Sequence, residues 1–63
     1  MKDFLGKSAY IVVIRNDKEL NFTAKEVTSV SDTHITFLDK FNEVHTFRIT
    51  DIIEITEKKE VMK

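Results

Sequence analysis

The chain has 63 residues, ten Lys plus Arg against eleven Asp plus Glu for a net charge of −1, no cysteine, no proline and one glycine. A chain of that length is expected to form one domain that buries only about 60% of the surface its unfolded form exposes. The absence of cysteine excludes disulfides and thiolate metal sites, and the balanced, interspersed charge excludes the basic footprint of a duplex-DNA binder. The opening residues Met1-Lys2-Asp3-Phe4-Leu5-Gly6 carry no apolar run of signal-peptide length, and nothing approaches the ~20 apolar residues of a membrane span. A soluble, cytoplasmic protein with no membrane partner is expected.

Ala9-Tyr10-Ile11-Val12-Val13-Ile14 is apolar on both faces of a strand, Tyr10, Val12 and Ile14 alternating with Ala9, Ile11 and Val13. Such a strand needs cover on both sides, from the N-terminal Phe4-Leu5, from the far wall of a barrel, or from a second copy of the chain. Arg15-Asn16-Asp17-Lys18-Glu19 supplies a polar reversal with turn-forming Asn and Asp. Leu20, Phe22 and Ala24 then alternate with Asn21 and Thr23, and the phase slips across Lys25-Glu26 so that Val27 and Val30 carry the apolar pattern on. That slip predicts a β-bulge or sharp bend in a long strand serving both halves of a small barrel.

Ser31-Asp32-Thr33 forms the next turn, and His34-Ile35-Thr36-Phe37-Leu38 places Ile35 and Phe37 inward. Asp39-Lys40-Phe41-Asn42-Glu43 reverses the chain, and Val44-His45-Thr46-Phe47-Arg48-Ile49 places Phe47 and Ile49 inward. After one tight polar turn, Ile53 and Ile55 complete the wall. The expected core is Ile11, Val13, Leu20, Phe22, Val27, Ile35, Phe37, Phe47, Ile49, Ile53 and Ile55. A competing reading makes Asp51-Ile52-Ile53-Glu54 a capping box that opens a helix running to Met62. Four isoleucines and two threonines in residues 49–56 favour extended chain instead. The sequence therefore predicts an all-β domain over residues 1–63, a five-stranded barrel with a core at 7–56 and a frayed or short helical tail at 57–63.

From Gly6 through Ile55 the order of these segments resembles the small SH3-like barrels, and within them the Sm-like branch: a short N-terminal segment, a strand, an Asn-led hairpin, a long bent strand, a polar turn, two strands and an isoleucine-rich last strand. Sm-like proteins usually carry a glycine in the bent strand, where this chain has Ala24 and Lys25. Ser31-Asp32-Thr33-His34 and Arg48-Ile49-Thr50-Asp51 occupy the places of their RNA-binding loops without the usual residues. The resemblance implies the barrel fold and, as an alternative function, RNA binding.

Residues suited to chemistry are few. His34 and His45 are eleven apart with no carboxylate or cysteine at ligand spacing, which suggests solvated or locally hydrogen-bonded histidines and no metal site. Ser8, Ser29 and Ser31 lack a nucleophile elbow, and Gly6 alone cannot build a phosphate cradle. A barrel this small also leaves little room for the pocket of about 300 Å³ that ligand sites need. No catalytic residue, metal or cofactor is expected.

Aromatics and strand edges are more informative. Phe41 sits inside a polar reversal, where it either folds back to cap the barrel or stands out as an anchor for a partner. Tyr10 has the same two readings. Val44 opens a strand whose edge neither proline nor a dense lysine cluster protects. Arg48, with Lys7 and Arg15, could add basic contacts to RNA, so weak, salt-dependent nucleic-acid binding is the second possibility. The candidate partner-binding residues are thus Tyr10, Phe41, Val44 and Arg48. The expected function is a non-enzymatic interaction module that binds a protein partner and self-associates, a dimer being the commonest closed arrangement. An accessory or inhibitory protein of a mobile element fits that description by analogy of size and fold.

Overall fold

The alternation and turn chemistry of the sequence resolve into strands at Ala9–Arg15 (β1), Lys18–Val30 (β2), His34–Asp39 (β3), Val44–Arg48 (β4) and Ile52–Glu57 (β5) in a computed structural model that describes residues 2–58. The five strands form one antiparallel sheet in the order β4-β3-β2-β1-β5. This is the expected all-β, barrel-like architecture. The helix competing for the C-terminal region is overturned as far as Glu57, because residues 52–57 pair with β1. The rest of the expected tail, residues 59–63, lies outside the described residues.

The long second strand is what makes the sheet two-sided. From Lys18 to Ala24 it pairs with β1, and from Ala24 to Val30 it pairs with β3, so Ala24 serves both neighbours. The register with β3 shifts between Ala24 and Glu26 and again between Val27 and Ser29. Lys25 is thereby left without a β3 partner, and its carbonyl accepts a 2.7 Å hydrogen bond from the Ser8 hydroxyl. The predicted phase slip is therefore a bulge, and Ala24, fully buried at the bend, supplies the small side chain such a corner needs. The N-terminal segment crosses the far half of the same strand. Gly6 donates to the Val27 carbonyl and Val27 donates to that of Lys7, a path that turns through the left-handed backbone of Gly6.

The core comprises Ala9, Ile11, Val13, Ala24, Val27, Ile35, Phe37 and Phe47, with Phe4, Phe22, Val30, Ile52 and Ile55 packed against it. Three expected core positions fail. Ile53 is 54% exposed because β5 shifts register against β1: Val12 faces Glu54 while Val13 faces Ile52, so Ile53 is the extra residue and Ile52 takes the inward place. Leu20 is exposed because it pairs with Val13 near the hairpin tip, on the part of β2 that β3 does not reach. Ile49, the third, is half-buried, lies outside the core cluster and belongs to a 3-10 turn, Ile49–Asp51, and not to β4. That turn is fixed by the Ile49 amide donating to the Thr33 carbonyl.

Candidate functional site

Three surfaces carry the candidate residues. The first is the outward face of β1. Strand alternation buries Ala9, Ile11 and Val13 completely and turns Tyr10, Val12 and Ile14 the other way. Tyr10 is 49% exposed and Ile14 nearly as much, and the displaced Ile53 of neighbouring β5 is exposed too. The Lys58 ammonium lies 5.8 Å from the centre of the Tyr10 ring. Phe4 does not supply the second cover, since it packs against the core cluster, and Leu5 bridges to Val27 and remains exposed.

The second surface is the β3–β4 hairpin. Asp39 closes β3 and is 6% exposed, the one buried charged residue among those described. Its Oδ1 accepts the backbone amides of Phe41 at 2.8 Å and Glu43 at 2.9 Å, and its Oδ2 accepts a hydrogen bond from His45 Nε2 at 2.8 Å. The Asp39 amide donates to the Glu43 carbonyl, and Asn42 takes the left-handed conformation that Asn tolerates. A buried carboxylate is stable only when its lone pairs are satisfied. Here the Glu43 amide foremost, helped by His45 and the Phe41 amide, holds the Asp39 carboxyl below its ordinary value against the opposing effect of burial.

This fixed turn carries Phe41 outward. Phe41 is 71% exposed, so it does not fold back over the barrel, and the Lys40 ammonium lies 5.3 Å from its ring centre. Beside it a cleft of about 360 Å³ is lined by Asn21, Phe22, Thr23, Asp39, Lys40, Phe41, Glu43 and His45. The His45 ring is held among Phe22, Phe37 and Phe47, with the nearest centroid, that of Phe22, at 4.7 Å. The sequence argument that no carboxylate stands at ligand spacing from a histidine is overturned here. A hairpin returns the chain on itself, so Asp39 and Glu43 meet His45 with donor atoms all within 4.8 Å of one another. The signal was present in the Asp at the start of a polar reversal and the His just beyond it, but the spacing test looked only along the chain.

The third surface is a larger cleft of about 510 Å³ at the opposite end of β4, lined by Ile14, Arg15, Asn16, Asp17, His34, Thr46, Arg48 and Asp51. Arg15 stacks its guanidinium 5.0 Å from the Phe47 ring centre, and Arg48 Nε donates to Asp51 Oδ2 at 3.4 Å. His34 faces Arg48 across the β3–β4 ladder, its Nδ1 2.8 Å from the Thr33 hydroxyl. The expectation that a chain this small lacks room for a pocket of ligand size is corrected by both clefts.

The four candidate partner-binding residues do not converge on one patch. Tyr10 belongs to the outward face of β1, Phe41 to the stapled hairpin, and Arg48 to the larger cleft. Val44 is 67% exposed, opposite Leu38 at the start of the edge strand β4. Asp39 and Ile53, which the sequence reading passed over as surface features or placed in the core, shape two of the three surfaces. Comparison with protein families, with curated proteins and with solved structures finds no match to this chain.

Proposed function

We propose that the chain is a non-enzymatic interaction module of SH3-like, Sm-like type that binds a protein partner and pairs with a second copy of itself. The observation that supports this reading is the outward row Tyr10, Val12 and Ile14 with Ile53 beside it, an apolar band on the strand whose opposite face is the centre of the core. Burying such a band removes apolar surface from water at about 25 cal/mol per Å², a gain that matters most in a chain too small to bury much of itself. The edge strands β4 and β5 offer backbone pairing next to it, with Val44 exposed on one and Ile53 on the other. An accessory or inhibitory role in a mobile element is compatible with a module of this kind.

Sedimentation equilibrium at micromolar concentration tests the self-association. The expected result is a species heavier than the 7.4 kDa chain. A Tyr10→Glu, Ile14→Glu double variant should sediment as a folded monomer. A wild-type protein that is monomeric throughout would remove this reading.

A second reading, weak RNA binding, is favoured by the cleft that gathers Arg15, His34 and Arg48. Asp17 and Asp51 line the same cleft and offset part of its positive charge, so any complex should be weak and steeply salt-dependent. Titration with single-stranded RNA at physiological salt is expected to give no tight complex. A nanomolar, sequence-selective interaction would reverse the order of the two readings.

A further inference from the structure

The geometry points to a divalent-cation site of the zinc class at the β3–β4 hairpin, with Asp39 Oδ2, His45 Nε2 and a Glu43 carboxylate oxygen as ligands, and we propose it as a further function of this chain beside the exposed Phe41. These three donors already lie within 4.8 Å of one another. Two ligand atoms of a tetrahedral zinc ion, each about 2.0 to 2.1 Å from the metal, stand roughly 3.4 Å apart. Asp39 Oδ2 and His45 Nε2 are 2.8 Å apart in their hydrogen bond, so a small opening of that pair would admit the ion.

Preorganisation is what separates this cluster from an ordinary group of surface acids. Asp39 is buried and its Oδ1 is anchored by two backbone amides, which leaves Oδ2 aimed at the histidine. Backbone donors of this kind orient ligating carboxylates in metal centres generally. The His45 ring is boxed by Phe22, Phe37 and Phe47 and has little freedom to turn away. Glu43 is exposed, but its backbone is tied to Asp39 through both its amide and its carbonyl, so its side chain starts from a fixed point. The cleft of about 360 Å³ that opens onto all three has room for the water that would complete the coordination.

Binding requires His45 Nε2 to be free of its proton. A neutral ring meets this by carrying its proton on Nδ1. The ion would take the place of the Asp39–His45 hydrogen bond and leave the two amide bonds to Oδ1 intact.

The test is calorimetric titration of the full chain with zinc chloride in a non-chelating buffer near neutral pH, with amide NMR shifts followed in parallel. The expected result is one ion per chain, with shifts centred on residues 39–45. His45→Gln and Glu43→Gln should each weaken binding by about tenfold or more, the scale on which even supporting groups of metal sites act. Glu43 is exposed, so its variant reports on binding without disturbing the fold. His34→Gln serves as the control and should bind as the wild type does. The proposal is overturned if zinc in excess gives neither heat nor shifts. It is equally overturned if Glu43→Gln binds zinc undiminished, or if His34→Gln abolishes binding.

Discussion

The β1–β2 and β3–β4 hairpins of this sheet solve the same problem differently. The β1–β2 hairpin turns through Asn16 and Asp17, both in the left-handed region, and among the described residues no side-chain hydrogen bond supports its tip. It packs aliphatic residues inward and leaves Tyr10, Ile14 and Leu20 exposed. The β3–β4 hairpin turns around a buried carboxylate that holds two amides and a histidine, and its inward aromatic residues, Phe37 and Phe47, meet Phe22 and His45 in one cluster. One hairpin has its conformation locked by its own side chains, and the other has apolar surface to spare. The difference assigns the hairpins different tasks: the tied one presents fixed groups, Phe41 and the Asp39–His45 pair, while the plain one presents an apolar band.

The comparison is broken most directly in the aromatic cluster. Phe37 is fully buried, and its replacement by alanine should cost roughly 3 to 5 kcal/mol, comparable with the whole stability of so small a domain. Circular dichroism should show Phe37→Ala unfolded at 25 °C. A folded variant with near-native stability would mean that the β3–β4 half does not carry the fold.

Adjacent residues on β1 give the next largest contrast. Ile11→Ala empties a fully buried position and should destabilise by about 2 to 5 kcal/mol, whereas Tyr10→Ala, on the outward row, should stay within about 0.5 kcal/mol of wild type in dilute monomer. Urea denaturation of both variants reads this directly. Equal losses would show that Tyr10 is structural and leave the outward band without its distinguishing feature.

Asp39→Asn sharpens the comparison through pH. The folded Asp39 carboxyl ionises below its ordinary value of 3.8, so its contribution to stability is complete above that value and disappears as the pH falls through the lower folded one. At neutral pH the variant should therefore have a lower urea midpoint than wild type. The gap should narrow as the pH is taken below about 4 and the unfolded-state Asp becomes protonated. A gap that is constant with pH would place the loss in packing and not in the charge of the staple.

The smallest effect is expected at the other tip. Asp17 has a φ of 63°, a conformation that costs a residue with a Cβ roughly 1 kcal/mol and costs glycine little. Asn-Gly is also the favoured pair for such a two-residue turn, so Asp17→Gly should raise stability by about 0.5 to 1 kcal/mol. A loss of stability on thermal denaturation would show that the Asp17 side chain, and not backbone conformation alone, supports the turn.

Much of this molecule was legible from local chemistry. Alternation located β1 and the inward pairs Ile35, Phe37 and Phe47, because a period of two needs only neighbours along the chain. The slip at Lys25-Glu26 marked the bulge of β2, and the isoleucines after Asp51 marked β5 against a helix of similar capping signature. Asn16-Asp17 and the Asp39 to Glu43 segment announced their reversals through residues suited to left-handed backbone and side-chain turns. Tertiary structure decided what depends on partners distant in sequence. The register shift of β5 against β1 exchanged Ile52 for Ile53 in the core, and no property of either isoleucine distinguishes them. The reach of β3 along β2 left Leu20 exposed although its spacing matched Phe22. Asp39 read as a turn residue, and only the return of β4 beside β3 brought His45 to its carboxylate and set the pair against the aromatic cluster. Sequence alone determined where the chain extends and where it turns, because those choices are made by each residue's own backbone preferences. Which face is covered, and which polar groups meet, was settled by pairing across the sheet, where a shift of one residue changes the face on which a side chain lies.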